Sequence, residues 1–233
     1  MIERMTGMEQ SICILGDSIA KGVVFDTTKN RYTITKNSFA NRIANRWDVS
    51  VKNMSKFGST VTDGVHRFLK QKDELEDCQT VFMNFGGNDS DFLWADISET
   101  PDVHHEPKTV MQSFVQTYLD LIGKVRQSGK APILLNLPPV DHKRYFSWIS
   151  RELNGDNILK WLGGSSEFIY RWHEQYNIAV HKVARHTDVK LLDIRSAFLE
   201  RRDYCDLLSA DGIHPNEDGH DLIAEQILQQ IES

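Results

Sequence analysis

The stretch Ile12-Cys13-Ile14-Leu15-Gly16-Asp17-Ser18 constrains the chain most. Four consecutive apolar residues, cut off by Gly-Asp-Ser, read as a fully buried strand that stops abruptly. In an open α/β sheet the carboxyl ends of the strands face the ligand crevice, so Ser18 falls where substrates bind. Taken alone, the tripeptide is a polar turn that caps a helix. Its meaning depends on what the remaining strands carry at their ends.

Four further strands are expected, at 49–52, 81–85, 132–137 and 190–194. Between them the apolar residues recur at helical spacing. Ser38 is an N-cap for a helix with Phe39, Ile43, Ala44 and Trp47 on one face. Thr62 or Asp63 starts the next, with Val65, Phe68, Leu69 and Leu75 inward. Val110, Phe114, Tyr118, Leu121, Ile122 and Val125 define a long helix, and Ile169, Trp172, Tyr176, Val180 and Val183 another over 167–186. A last helix runs to about Ile231.

Residues 20–36 form an excursion with extended pieces at 23–25 and 32–34, and residues 90–107 carry no periodic pattern. Strand alternating with helix implies a parallel sheet with helices on both faces. The expectation is one domain over residues 1–233, interrupted by an inserted aromatic-rich segment at about 140–165.

Composition narrows the partners. A net charge of -6 without a basic stripe argues against nucleic acid, and no apolar run approaches a membrane span. Residues 1–10 are polar and lack the apolar core of a signal peptide. Cys13, Cys78 and Cys205 are an odd set without CxxC or Cys/His spacing. Cys13 then reads as a small buried hydrophobe, a disulfide framework is not expected, and the location expected is the cytoplasm.

Chemically useful residues stand beyond several strand ends: Ser18 after the first, Gly58 after the second and Asn88 after the third. Asp211-x-x-His214 immediately precedes the last helix. Acyl transfer needs a nucleophile, a base, a group that orients the base, and donors for the oxyanion. Ser18, His214 and Asp211 supply the first three. The backbone N–H groups of Ser18 and Gly58 and the Asn88 amide supply the donors, with glycine at 58 permitting close backbone approach.

These blocks, Gly16-Asp17-Ser18-Ile19, Gly58, Gly87-Asn88-Asp89 and Asp211-x-x-His214, resemble those of the SGNH, or GDSL-like, hydrolases, in that family's order and over nearly the whole chain. Ile19 stands where leucine is commoner, a conservative change. The resemblance implies a flavodoxin-like three-layer α/β/α sandwich, with its five-stranded parallel sheet expected in the order 2-1-3-4-5. It also implies a Ser-His-Asp ester hydrolase needing no metal or other cofactor. The substrate would be a short acyl ester, an acetylated carbohydrate or a lysophospholipid.

Other features have plainer readings. Asp17 is a structural acceptor supporting the nucleophile turn, and Asp89 a loop or helix-cap residue. His104-His105-Glu106 reads as surface, because adjacent histidines point apart and no further ligands converge. Asp141-His142 is a rival acid–base pair, yet neighbouring residues seldom form the Asp–His half of a triad. Trp94, Trp148, Trp161 and Trp172 serve either as a substrate pocket or as core aromatics, and both readings stay open. Two other function classes compete: a non-catalytic flavodoxin-like binding module, which needs no Ser, His and Asp together, and a metal-dependent phosphoesterase, whose activity a chelator would remove.

Overall fold

The computed structural model describes residues 11–232; the polar stretch 1–10 lies outside them. β1 (Ser11–Gly16) is buried at every position, and its side chains alternate between two cores. Cys13 and Leu15 face one, Ile12 and Ile14 the other, as the period-2 geometry of a strand requires. After the short helix α1 (Ser18–Lys21), β2 (Val23–Asp26) and β3 (Arg31–Ile34) form an antiparallel hairpin apart from the main sheet. The excursion therefore has the extended pieces expected of it.

The chain continues through α2 (Phe39–Trp47), β4 (Ser50–Asn53), α3 (Val61–Gln71) and β5 (Cys78–Asn84). Next come α4 (Gly87–Ser90), α5 (Trp94–Glu99), α6 (Met111–Gln127) and β6 (Ala131–Leu135). The last third holds α7 (His142–Ile149), α8 (Gly155–Trp161), α9 (Glu167–Thr187), β7 (Lys190–Leu192), α10 (Arg195–Leu199) and α11 (Glu217–Glu232).

The five-stranded sheet is ordered β4-β1-β5-β6-β7, all parallel. Counted without the hairpin this is 2-1-3-4-5, which leaves a switch point where β1 lies between β4 and β5. Helices α3, α6 and α9 bury Phe68, Phe114, Tyr118, Tyr176 and Val180 on one face. Helices α2, α10 and α11 bury Phe39, Ile43, Phe198, Ile223 and Ile227 on the other.

Several expectations need correction. Helix α3 begins at Val61 because Thr60 caps it, its side chain accepting from the Asp63 N–H while Asp63 accepts from the Thr60 N–H. Leu69 is 45% exposed instead of inward. Val110 is the cap preceding α6 and faces solvent. Residues 94–99 are helical although they carry no repeating pattern. Most important, Cys13 and Cys78 form a disulfide, their Cα atoms 6.0 Å apart, while Cys205 is free. Strand pairing lays β1 beside β5, a proximity that a separation of 65 residues conceals. The cysteine argument for a reducing compartment therefore falls. Among the described residues no helix is long and apolar enough to cross a membrane.

Candidate active site

The switch point brings together residues nearly 200 positions apart in the chain. Ser18 opens α1, and Asp17 caps that helix, its Oδ1 accepting the Ile19 N–H at 2.9 Å. Ser18 Oγ lies 2.8 Å from His214 Nε2, and His214 Nδ1 lies 2.5 Å from Asp211 Oδ2. A carboxylate only accepts, so Nδ1 carries a proton toward Asp211, and in the neutral tautomer that this fixes Nε2 is the acceptor for the serine hydroxyl. Asp211 Oδ1 also accepts the backbone N–H groups of Ile213 and His214, each at 3.1 Å, so one carboxylate shapes the turn and orients the imidazole. Burial alone would raise the Asp211 carboxyl. The His214 hydrogen bond and charge, with the two N–H groups, instead hold it below the usual carboxylate value.

That turn is braced from outside. Gly212 has φ +77°, and a Cβ there would come within 2.8 Å of both Arg144 Cβ and Asp141 O. In return the Asp141 N–H donates to Gly212 O at 2.8 Å. The Asp141 side chain caps α7, accepting from Lys143 and Arg144 N–H, and His142 Nδ1 contacts Ser166 Oγ at 2.9 Å. The rival pair thus has structural partners, and neither residue lines the cavity that contains Ser18.

Ser18, Gly58 and Asn88 line that cavity together. The Ser18 N–H belongs to the first turn of α1 and has no acceptor within the helix. Gly58 has φ +75° with no atom within 4 Å of a built Cβ, a backbone geometry L-residues rarely adopt. Asn88 lines the same cavity, and its Nδ2 donates to Asp17 Oδ2 at 3.4 Å. Asp17 therefore supports both the serine turn and the asparagine. Burial pushes the Asp17 carboxyl up to about 6. Asp89 caps α3 from across the loop, its two oxygens 3.1 and 3.2 Å from Val61 N. Burial, assisted by the nearby Asp17 charge, pushes Asp89 to about 7.

The cavity encloses about 330 Å3. Trp94, Trp148 and Trp172 line it, whereas Trp161 does not. Trp161 instead packs edge-on against Phe92 at 4.9 Å, behind the wall. The sequence reading missed Tyr32 and Phe57, whose rings lie 5.3 and 5.8 Å from that of His214. The only signal for Tyr32 was its place in an extended piece. Burial and the neighbouring Asp211 carboxylate push its phenol well up. His104 pairs with Glu106 at the surface, and His105 turns to Thr100. Among the described residues no group of three or more His, Cys, Asp or Glu side chains is arranged to hold a metal ion.

A serine hydroxyl, imidazole and carboxylate in one hydrogen-bonded file, at the carboxyl ends of a doubly wound sheet, define the class of the α/β acyl hydrolases. The model of the GDSL-like lipase/acylhydrolase family matches residues 14–222, and the chain belongs to that family. It is a carboxylic ester hydrolase. Solved structures similar to it include the lipase/acylhydrolase from Enterococcus faecalis, at 19% identity and TM-score 0.67, covering 96% of this chain and 95% of that one. A catalytic mutant of Axe2, an acetylxylan esterase from Geobacillus stearothermophilus, aligns at 18% identity and TM-score 0.68, covering 97% and 96%. LAE5, an α/β hydrolase from the metagenome of Lake Arreo, aligns at 20% identity and TM-score 0.66, also covering 97% and 96%. At such identities the likeness carries the fold. No curated protein sequence matches the chain.

Proposed function

We infer that the protein cleaves acyl esters through a Ser18 acyl-enzyme, with His214 as general base and Asp211 as the group that orients it. The observation that carries this reading is the unbroken file from Ser18 Oγ through His214 to Asp211, opening onto a cavity that Gly58 and Asn88 also line. Nε2 takes the Ser18 proton as Oγ attacks the ester carbonyl, and the negative charge develops on the carbonyl oxygen. The N–H groups of Ser18 and Gly58 and the Asn88 amide stabilise that charge in a site already organised for it. The bond from the carbonyl carbon to the alcohol oxygen then breaks, and the alcohol leaves with the proton from Nε2. Water repeats the sequence, releasing the acid and restoring the serine.

The test is Ser18→Ala, assayed on p-nitrophenyl esters and with a fluorophosphonate probe. Turnover should fall by several orders of magnitude and labelling should vanish, while the melting temperature stays near that of the parent. An alanine variant that kept most of its esterase activity would overturn the assignment. Labelling also discriminates against a binding module, which has no activated serine to react.

A further inference from the structure

No step of the reaction uses His173, which lines the cavity from α9, one turn beyond Ile169 on the same helix face. Other polar groups on this wall are engaged by the protein. Trp94 Nε1 and Tyr145 OH both donate to Asp91 Oδ1, at 2.8 and 2.7 Å, and Trp172 Nε1 donates to Ser90 O at 3.0 Å. His173 differs: it is only 8% exposed, and its buried Nδ1 meets no hydrogen-bond partner among the described residues. An orphaned buried nitrogen is rare in a native protein, where such a group is satisfied by water or by a ligand. No partner fixes which edge of the ring faces the cavity, so a ligand group there selects it.

The surroundings say which group that is. Arg195 is buried too, and its charge is taken up: Nη2 lies 2.6 Å from Glu174 Oε2, and Nη1 donates to Leu137 O at 3.1 Å. Burial, assisted by that guanidinium, pushes the His173 imidazole down to about 3, so at neutral pH the ring holds one N–H and one lone pair. A neutral hydroxyl both donates and accepts, and so pairs with either tautomer. A carboxylate finds no unmatched cation on this wall, since Arg195 is paired with Glu174 and Lys108 with Asp91.

Sheet order fixes which half of the ester meets His173. Phe57, stacked on His214, follows β4. Asn177, one turn beyond His173 on α9, accepts the Leu137 N–H at 3.1 Å just past β6. β4 and β6 lie on opposite sides of β1, whose end carries Ser18. His214 must hand its proton to the departing alcohol, so the alcohol lies toward Phe57 and the acid extends toward His173. Resting on the ester-hydrolase reading, we propose that His173 is a specificity-determining residue whose imidazole takes a hydroxyl on the acid half of the ester. Esters of hydroxy acids are then preferred to their unsubstituted counterparts.

The experiment compares p-nitrophenyl hexanoate with its β-hydroxy, ω-hydroxy and ω-carboxy analogues, with Ser18→Ala as control. In the parent protein at least one hydroxy ester should exceed hexanoate in kcat/KM by about tenfold, as one hydrogen bond to a buried group allows. The ω-carboxy ester should show no such gain. His173→Phe and His173→Leu should abolish the preference, whereas His173→Gln, which keeps a neutral donor and acceptor, should retain part of it. A preference that persists in folded His173→Phe or His173→Leu overturns the proposal, as does a parent that favours the ω-carboxy ester. Glycerol monohexanoate against propyl hexanoate probes the alcohol half; a hydroxyl preference found there and missing from the acid series also overturns it. A parent indifferent to every hydroxyl, with activity still lost in Ser18→Ala, overturns the role of His173 and leaves the esterase reading standing. Activity that survives in Ser18→Ala overturns the esterase reading itself.

Discussion

Replacing Asp89 by asparagine should stabilise the protein at alkaline pH and flatten its dependence on pH. Burial raises the Asp89 carboxyl from 3.8 to about 7 in the folded protein, against the lowering effects of the Thr109 side chain and the Val61 N–H. A raised acid binds its proton more tightly folded than unfolded. The native state therefore holds the extra proton between these two values, and stability falls as pH rises through the interval. The separation from 3.8 to about 7 amounts to about 4 kcal/mol once both states are ionised. Between pH 5 and pH 8 the share lost is about 2–3 kcal/mol, or roughly 5–10 °C of melting temperature for a domain of this size. Asparagine keeps a carbonyl to accept the Val61 N–H, now 3.1 Å from Oδ1, and removes the charge. Asp17 contributes a slope of the same sign in both proteins, so the difference between variant and parent reports Asp89 together with its coupling to Asp17. The assay is urea or thermal unfolding of both at pH 5, 6, 7 and 8. Parallel stability curves across that range would refute a buried carboxyl that is protonated in the fold.

Asn88→Ala should lower kcat by roughly 10²–10³ with a smaller change in KM, since an oxyanion donor strengthens as charge develops; normal turnover in a less stable protein would make Asn88 a turn residue only. Gly58→Ala adds a methyl group that meets nothing within 4 Å, so its stability cost is the φ of +75° alone, about 1–2 kcal/mol. Its kcat should fall through displacement of the N–H, which steady-state kinetics on a preparation of measured melting temperature would separate from unfolding. Thiol titration of the unreduced, denatured protein should find one free thiol, Cys205, and three after reduction, and breaking the bridge across 65 residues should cost about 2–4 kcal/mol in urea unfolding. Three thiols before reduction would remove the bridge.

The sheet was legible because most of its strands are short apolar runs closed by Gly, Asn, Asp or Pro, and the candidate site because Ser18, Gly58 and Asn88 follow strand ends while Asp211 and His214 stand three residues apart just before the last helix. Local patterns carry this information, since strand, turn and serine lie within seven residues of one another. Contacts between strands are a different matter. Nothing in Ile12-Cys13-Ile14 says that its neighbour will be β5, so the partner of Cys13 was invisible. Helix α5 was hidden for a related reason: its six residues are too few to show a period, and Ser98 holds it to the start of α8 through its Oγ and carbonyl, on the Asn154 N–H and the Asn157 amide. Leu69 sits four residues after Val65, at helical spacing, yet the buried stripe of α3 runs through Val61, Gly64 and Phe68 and leaves it outside. Tyr32 reaches His214 only because the hairpin folds back over the site.

The segment from Pro138 to Leu162 joins these two kinds of information. Its aromatic residues suggested a pocket or core packing, and its contacts give it both jobs at once. Tyr145 lines the cavity and hydrogen-bonds Asp91, while Ile158 and Leu162 bury themselves against Phe92, Trp94 and Ile97. At its N-terminal end the Asp141 N–H grips Gly212 O, and Arg144 Nη1 reaches Cys205 O at 2.6 Å. One rigid piece of chain therefore walls the cavity and holds the turn that carries Asp211 and His214. Substitutions inside it cannot change pocket shape without also pressing on that turn, whose Gly212 already fills the space against Arg144 and Tyr145. Phe168 lines the cavity from outside this segment and is accordingly free of that constraint, whereas Tyr145 has its hydroxyl on Asp91 and its backbone N against Gly212.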